Sequence, residues 1–168
     1  MGPSALFYNE SLPVTDRILR LLFRIWRHLP QWVHVLGVRV VRPKYRVGVV
    51  ALVADEQGRV LLFKHTYRKW EWGLPAGGLE YNEPPELAVV REFCEETGIQ
   101  IRVERMLTAL SSKEDHHISL VYRCTILGGE FRGSPEVSEM RYFDLGQLPP
   151  MLLAEKELIH RLAGDLER

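Results

Sequence analysis

The chain has 168 residues, 46% of them apolar and 26% charged, with 22 basic side chains against 22 acidic ones. That composition excludes a disordered or collagen-like polymer and fits a globular domain able to bury a core of its own. Zero net charge supplies no overall field toward nucleic acid, so no specific nucleic-acid binding is expected. A polyanionic ligand would have to be met by local charge.

The first predicted element is a helix from about residue 16 to 29. Arg17, Arg20, Arg24, Arg27 and His28 share an arc of about 100° on it, and Ile18, Leu19, Leu22, Phe23, Ile25, Trp26 and Leu29 fill the rest. Thr15 suits its N-cap. So wide an apolar arc needs cover, either from the rest of the chain or from a second copy in a homodimer. Peripheral contact with an anionic membrane surface is the sharper but less favoured reading. Residues 1–43 thus read as an amphipathic helix and linker ahead of a domain spanning 44–168. No apolar run is long enough to span a bilayer and no leader peptide is evident, which sets a cytoplasmic expectation.

Strand-like runs follow at 46–54 and 59–66, joined by the turn Asp55-Glu56-Gln57-Gly58. Next comes a loop rich in aromatic and basic residues: Tyr67, Arg68, Lys69, Trp70 and Trp72. Arg68 and Trp72 are candidates for a wall where a base stacks and a phosphate meets a cation. Trp72 at the edge of a core and Arg68 in solvent are the plain alternatives.

The loop leads through Gly77-Gly78 into a predicted helix at about 84–97, with Pro84-Pro85 suited to its start and Gly98 to its stop. Glu92, Glu95 and Glu96 fall within an arc of about 100° on it. Leu87, Val90, Phe93, Cys94 and Thr97 lie opposite, as the expected core face. Glu92 and Glu96 are a like-charge i,i+4 pair, costing a few tenths of a kcal/mol. Glu95 and Glu96 sit in the last turn, where the helix dipole disfavours an anion by roughly 0.3–1 kcal/mol. Only Arg91 is close enough to compensate. Several adverse terms on one face imply a missing divalent cation, since hard cations take oxygen ligands. Cys94 on the core face, and Cys124 in an apolar strand, both read as reduced core thiols.

Further strands are predicted near 100–110, 118–127 and 137–143, then a helix at about 152–162. Asp115-His116-His117 forms a loop between two of these strands, read as ordinary solvated loop in preference to a metal or phosphate contact. Helices interleaved with strands predict an α/β fold with a sheet covered on both faces.

From Gly77 to Ile99 the residues run Gly-x5-Glu-x7-Arg-Glu-U-x-Glu-Glu-x-Gly-U, U being bulky and apolar, with Phe93 and Ile99 in the U places. This resembles the Nudix box at all nine specified positions, and by it the chain is identified as a member of the Nudix hydrolase family. The resemblance, strongest over residues 46–145, implies the Nudix fold, an α/β/α sandwich around a mixed β-sheet. It implies Mg²⁺, with Mn²⁺ as a substitute, held by Glu92, Glu95, Glu96 and the carbonyl of Gly77. It further implies water attack on the diphosphate linkage of a nucleoside diphosphate derivative. Gly78 would allow close approach of phosphate, and Arg91 would orient Glu95 or Glu83. The general base varies across the family. Glu130 resembles the position of one branch, Glu136 and Glu139 that of another, and Glu96 or Glu95 could act directly; of the three outside the box, Glu130 and Glu139 rank level as the leading candidates. Substrate-specific signatures of the subgroups are missing past the box. The rival reading is a catalytically silent Nudix-fold protein that binds nucleotide or regulates; the intact set of box carboxylates counts against it.

Overall fold

A computed structural model describes residues 44–112 and 116–166, and in addition Arg27, His28 and Pro30. The helix expected over 16–29, and the homodimer and membrane readings built on it, lie outside the described residues apart from those positions. In chain order the elements are β1 (Arg46–Val53), β2 (Val60–His65), β3 (Trp72–Gly73), β4 (Ala76–Gly78), α1 (Pro85–Thr97), β5 (Ile99–Ser112), β6 (His117–Gly129), β7 (Val137–Phe143), a 3-10 turn (Leu145–Gln147), α2 (Leu153–Arg161) and α3 (Ala163–Leu166).

The strands form two sheets. One is mixed, in the order β4-β1-β6-β5, with β1 and β6 parallel and the other pairs antiparallel. The second is antiparallel, in the order β3-β2-β7. β1 reads as a nearly unbroken apolar run because both of its faces are covered. Val49, Ala51 and Val53 point into a core shared with Leu61, Phe63, Phe93 and Tyr122. Leu52 points the other way, into a core with Leu62, Leu74, Leu158 and Ile159. Helix α1 covers the first core and α2 the second, which is the expected α/β/α sandwich. Parallel pairing sets Arg46 of β1 opposite His117 of β6, while antiparallel pairing lays Gly77 and Gly78 of β4 against Val49 and Gly48. One end of the mixed sheet therefore collects residues from three distant stretches of chain.

Helix α1 starts at Pro84–Pro85, where a missing N–H costs nothing. It stops at Gly98, whose φ of 72° is left-handed and whose N–H donates to the Cys94 carbonyl at 2.7 Å. Its buried stripe is Ala88, Val89, Phe93, Glu96 and Thr97. This corrects the expected face: Leu87 is 60% exposed, and the Cys94 thiol is at the surface. The acids border the core stripe rather than oppose it, because Glu96 lies three residues on from Phe93 and shares its side. Cys124 is a buried free thiol, as expected, and burial pushes its pKa up to about 12. Phe93 packs on Phe63 with ring centroids 5.0 Å apart. Burying such a ring is worth roughly 1.5–3 kcal/mol, and it sets the rotation of the helix that bears the acids.

His65, at the end of β2, is 1% exposed. Burial, helped by the charge of Arg68, lowers its pKa to about 4. The fold thus prefers neutral imidazole, so this contribution to stability is whole above the ordinary histidine value and is lost as pH falls toward 4. His65→Phe should flatten that slope. In urea melts between pH 4 and 7 the variant is expected to gain on the wild type as pH drops; a constant gap would contradict it.

Candidate functional site

Glu92, Glu95 and Glu96 project from α1 toward β4 and the loop ahead of β7. Arg91 organises the first two. Its guanidinium donates to Glu83 through Nε (2.8 Å) and Nη2 (2.9 Å), to Glu95 through Nη1 (3.1 Å), and to the Gly78 carbonyl through Nη2 (3.1 Å). Its Nη1 also lies 3.0 Å from Glu92 Oε1. Hydrogen bonding to Arg91 holds the Glu83 carboxyl below its ordinary pKa. The fork is therefore an orienting clamp on Glu83, Glu92 and Glu95 together.

Among the described residues Glu96 has no such partner. It is only 7% exposed, and its Oε2 makes no hydrogen bond. Burial raises its pKa to about 7, with further elevation from Glu92 and Glu136. An orphaned buried carboxylate oxygen of this kind calls for a cation. Gly77 adds a steric argument: a Cβ there would lie 2.1 Å from Glu92 Cγ. Only glycine lets the Gly77 backbone pass so close to the acids. Glu92 in turn accepts the Gly78 N–H at 3.1 Å. Among the described residues no three acids, imidazoles or thiolates already converge at metal-ligand spacing; Glu92 and Glu95 are paired with Arg91 instead. Three carboxylates share the Arg91 guanidinium and Glu96 stands outside that sharing, and this excess of hard oxygen donors fits a divalent cation.

Beside the acids opens a cleft of about 1130 Å³, walled by Gly77, Gly78, Glu92, Glu96, Arg68 and Glu136. Tyr45, Tyr67, Tyr81 and His117 also line it, and Tyr81 is 94% exposed. A second recess, about 440 Å³, shares Arg68, Ala76, Gly77 and His117 with the first and runs toward Leu110, Ala154 and Leu158. Arg68 and Gly78 thus line the same cleft as Glu92 and Glu96. Trp72 is not: it packs edge-on to Phe143, centroids 4.8 Å apart, and bridges to Met151. His117, read from sequence as plain loop, opens β6 and faces the cleft. Tyr45 and Tyr81 escaped sequence reasoning because only the folded chain brings them to the acids.

The acids outside the helix separate clearly. Glu136 shares a recess of about 210 Å³ with Glu92, Glu95 and Glu96. Its loop is pinned by Thr66, whose N–H donates to the Glu136 carbonyl at 3.0 Å and whose hydroxyl donates to that of Pro135 at 2.7 Å. Glu139 instead pairs with Arg141, on a strand where it sits opposite Lys64. Glu130 is an exposed residue past the end of β6 that lines neither cleft nor recess.

A family model described as the NUDIX domain matches residues 44–162. Over 127 residues the chain is 32% identical to the ADP-ribose pyrophosphatase of Methanocaldococcus jannaschii, which covers 69% of this chain and 75% of that protein. It is 37% identical over 94 residues to a MutT-like protein of Streptomyces ambofaciens, 56% of this chain and 60% of that one. The crystal structure of an ADP-ribose pyrophosphatase from Streptococcus suis superposes with a TM-score of 0.66 at 22% identity, over 74% of this chain and 94% of that chain, a likeness of fold.

The crowding at Glu96 has a measurable consequence. With chelator present, Glu96→Gln should raise the thermal midpoint at neutral pH, by about 2–4 °C for each kcal/mol of repulsion removed. The same substitution should reduce the further stabilisation by Mg²⁺ seen in the wild type. A lower midpoint in chelator would contradict the reading of Glu96 as an uncompensated charge.

Proposed function

The chain belongs to the Nudix family and is a Nudix hydrolase with pyrophosphohydrolase activity; on that premise we propose that it splits a nucleoside diphosphate derivative into a nucleoside monophosphate and a phosphorylated remainder. The single observation that carries this reading is the partnerless Glu96 oxygen beside Gly77, at the wall of a cleft large enough for both halves of such a molecule.

Glu92, Glu95, Glu96 and the Gly77 carbonyl would hold Mg²⁺ or Mn²⁺. Bound there, the ion supplies charge neutralisation at the phosphates and acidifies water. The residues of the chain do the rest. Arg91 holds the carboxylates of Glu92 and Glu95 in fixed directions. Glycines at 77 and 78 leave room for phosphate oxygens close to the backbone. Arg68 offers a guanidinium to the diphosphate from the same cleft. Tyr45, Tyr67 and Tyr81 present aromatic faces on which a base can stack. Glu136, facing Glu96 across the small recess, is the best placed acid to take the proton of the attacking water, ahead of Glu139 and Glu130.

Two of the similar proteins named above are ADP-ribose pyrophosphatases, so ADP-ribose leads the compounds to assay. Nucleotide sugars, dinucleoside polyphosphates and dNTPs complete the panel, each with Mg²⁺ and with Mn²⁺. Turnover of at least one two-part diphosphate, releasing a nucleoside monophosphate, is expected. No turnover of any compound with either ion would overturn the proposal.

Parallel substitutions separate the base candidates. Glu136→Gln should lower kcat by about 10²-fold or more, the scale of a general base, while Glu139→Gln and Glu130→Gln stay near wild type. A large fall at Glu139 or Glu130 instead would reassign the role.

A further inference from the structure

We propose that Glu155, on α2, is a positioning residue for substrate binding, acting by holding Arg68 at the junction of the main cleft and the recess behind it. The inference rests on the reading of the cleft as a diphosphate site. Arg68 stands in the loop between β2 and β3, outside any helix or strand. A long side chain on a loop loses much of its rotamer freedom when it is held to a ligand, so a tether that orders it beforehand improves binding.

Glu155 is that tether. Its Oε1 lies 3.5 Å from Arg68 Nη1, and its Oε2 accepts the Leu74 N–H at 2.9 Å. Both partners are about three-quarters buried, with side chains 24% and 23% exposed. Among the described residues this is the one ion pair Arg68 makes. The backbone is shaped around it. A Cβ at Gly73 would lie 2.9 Å from Arg68 Nη1 and 2.9 Å from Glu155 Oε2, so the pair crosses the chain where there is no side chain to obstruct it. Burial raises the pKa of Glu155, while Leu74 and Arg68 oppose that rise. A carboxylate placed here at a desolvation cost is explained by what it holds. One guanidinium edge faces Glu155, and the planar fork leaves further N–H donors for phosphate oxygens in the cleft. The tether comes from a helix far along the chain, beyond the acidic motif, and so links the second core to the substrate site.

The test is a double-mutant cycle read by calorimetric binding of inorganic pyrophosphate with Mg²⁺, and by kcat and KM on the fastest substrate of the panel. Glu155→Gln keeps the size of the side chain and an acceptor for Leu74. It is expected to weaken pyrophosphate binding and raise KM by about threefold to tenfold with little change in kcat. Arg68→Ala should cost about tenfold or more. In the Arg68→Ala background, Glu155→Gln should add nothing. Gly73→Ala, which crowds both groups, should raise KM as Glu155→Gln does. An unchanged KM in Glu155→Gln, or an equal loss in both backgrounds, would overturn the positioning role. Arg68→Ala with wild-type binding would remove Arg68 from the phosphate site, and Glu155 with it. No pyrophosphate binding by the wild type would instead overturn the reading of the cleft itself.

Discussion

Uncompensated negative charge on one side of α1 is the constraint around which the rest of the site is arranged. Helix physics argues against Glu92, Glu95 and Glu96 in the last two turns, where both the dipole and mutual repulsion are unfavourable. The chain accepts this and adds only one guanidinium, spread over Glu83, Glu92 and Glu95. Glu96 is left buried, its Oε2 without a partner among the described residues. Such an arrangement is costly as pure structure and sensible as a place for a divalent cation. Phe93 buried against Phe63 and the Gly98 stop hold the helix in the rotation that keeps these acids at the cleft.

The sandwich converts that local feature into a site. Parallel pairing of β1 with β6 and antiparallel pairing with β4 place Arg46, His117 and the two glycines at one sheet end. The acids come from the helix on one face. Through Glu155 and Arg68, the helix on the other face reaches the same cleft. The loop of Glu136, tied to Thr66, closes a third side. Each packing layer thus contributes one wall, and the cleft proposed to take the diphosphate lies where the walls meet.

How much of this was legible in the sequence depends on the range of the forces involved. The box, the helix start at Pro84–Pro85 and its stop at Gly98 are local signals, and the structure follows them. The long strands were legible from apolar runs bounded by turn residues. β3 and β4 were not, because two- and three-residue strands exist only through their pairing with β2 and β1. The rotation of α1 was misread by a small angle, enough to expose Leu87 and Cys94 and to bury Glu96. Apolar periodicity places a buried stripe only to about one residue, and here a charged residue shares it. Trp72 and Glu139 looked like site residues by type and position, but cross-strand and inter-element contacts hold them elsewhere. His117, Glu136 and Glu155 gain their places from pairings across many residues, which no short window of sequence displays.

The most direct measurement is a crystal grown with Mn²⁺ and pyrophosphate and examined by anomalous scattering at the manganese edge. The account predicts a strong peak bounded by the Gly77 carbonyl and the carboxylates of Glu92, Glu95 and Glu96, with Glu96 Oε2 turned toward it. No peak there, with Glu92 and Glu95 still closed on Arg91 and Glu96 still unpartnered, would contradict it.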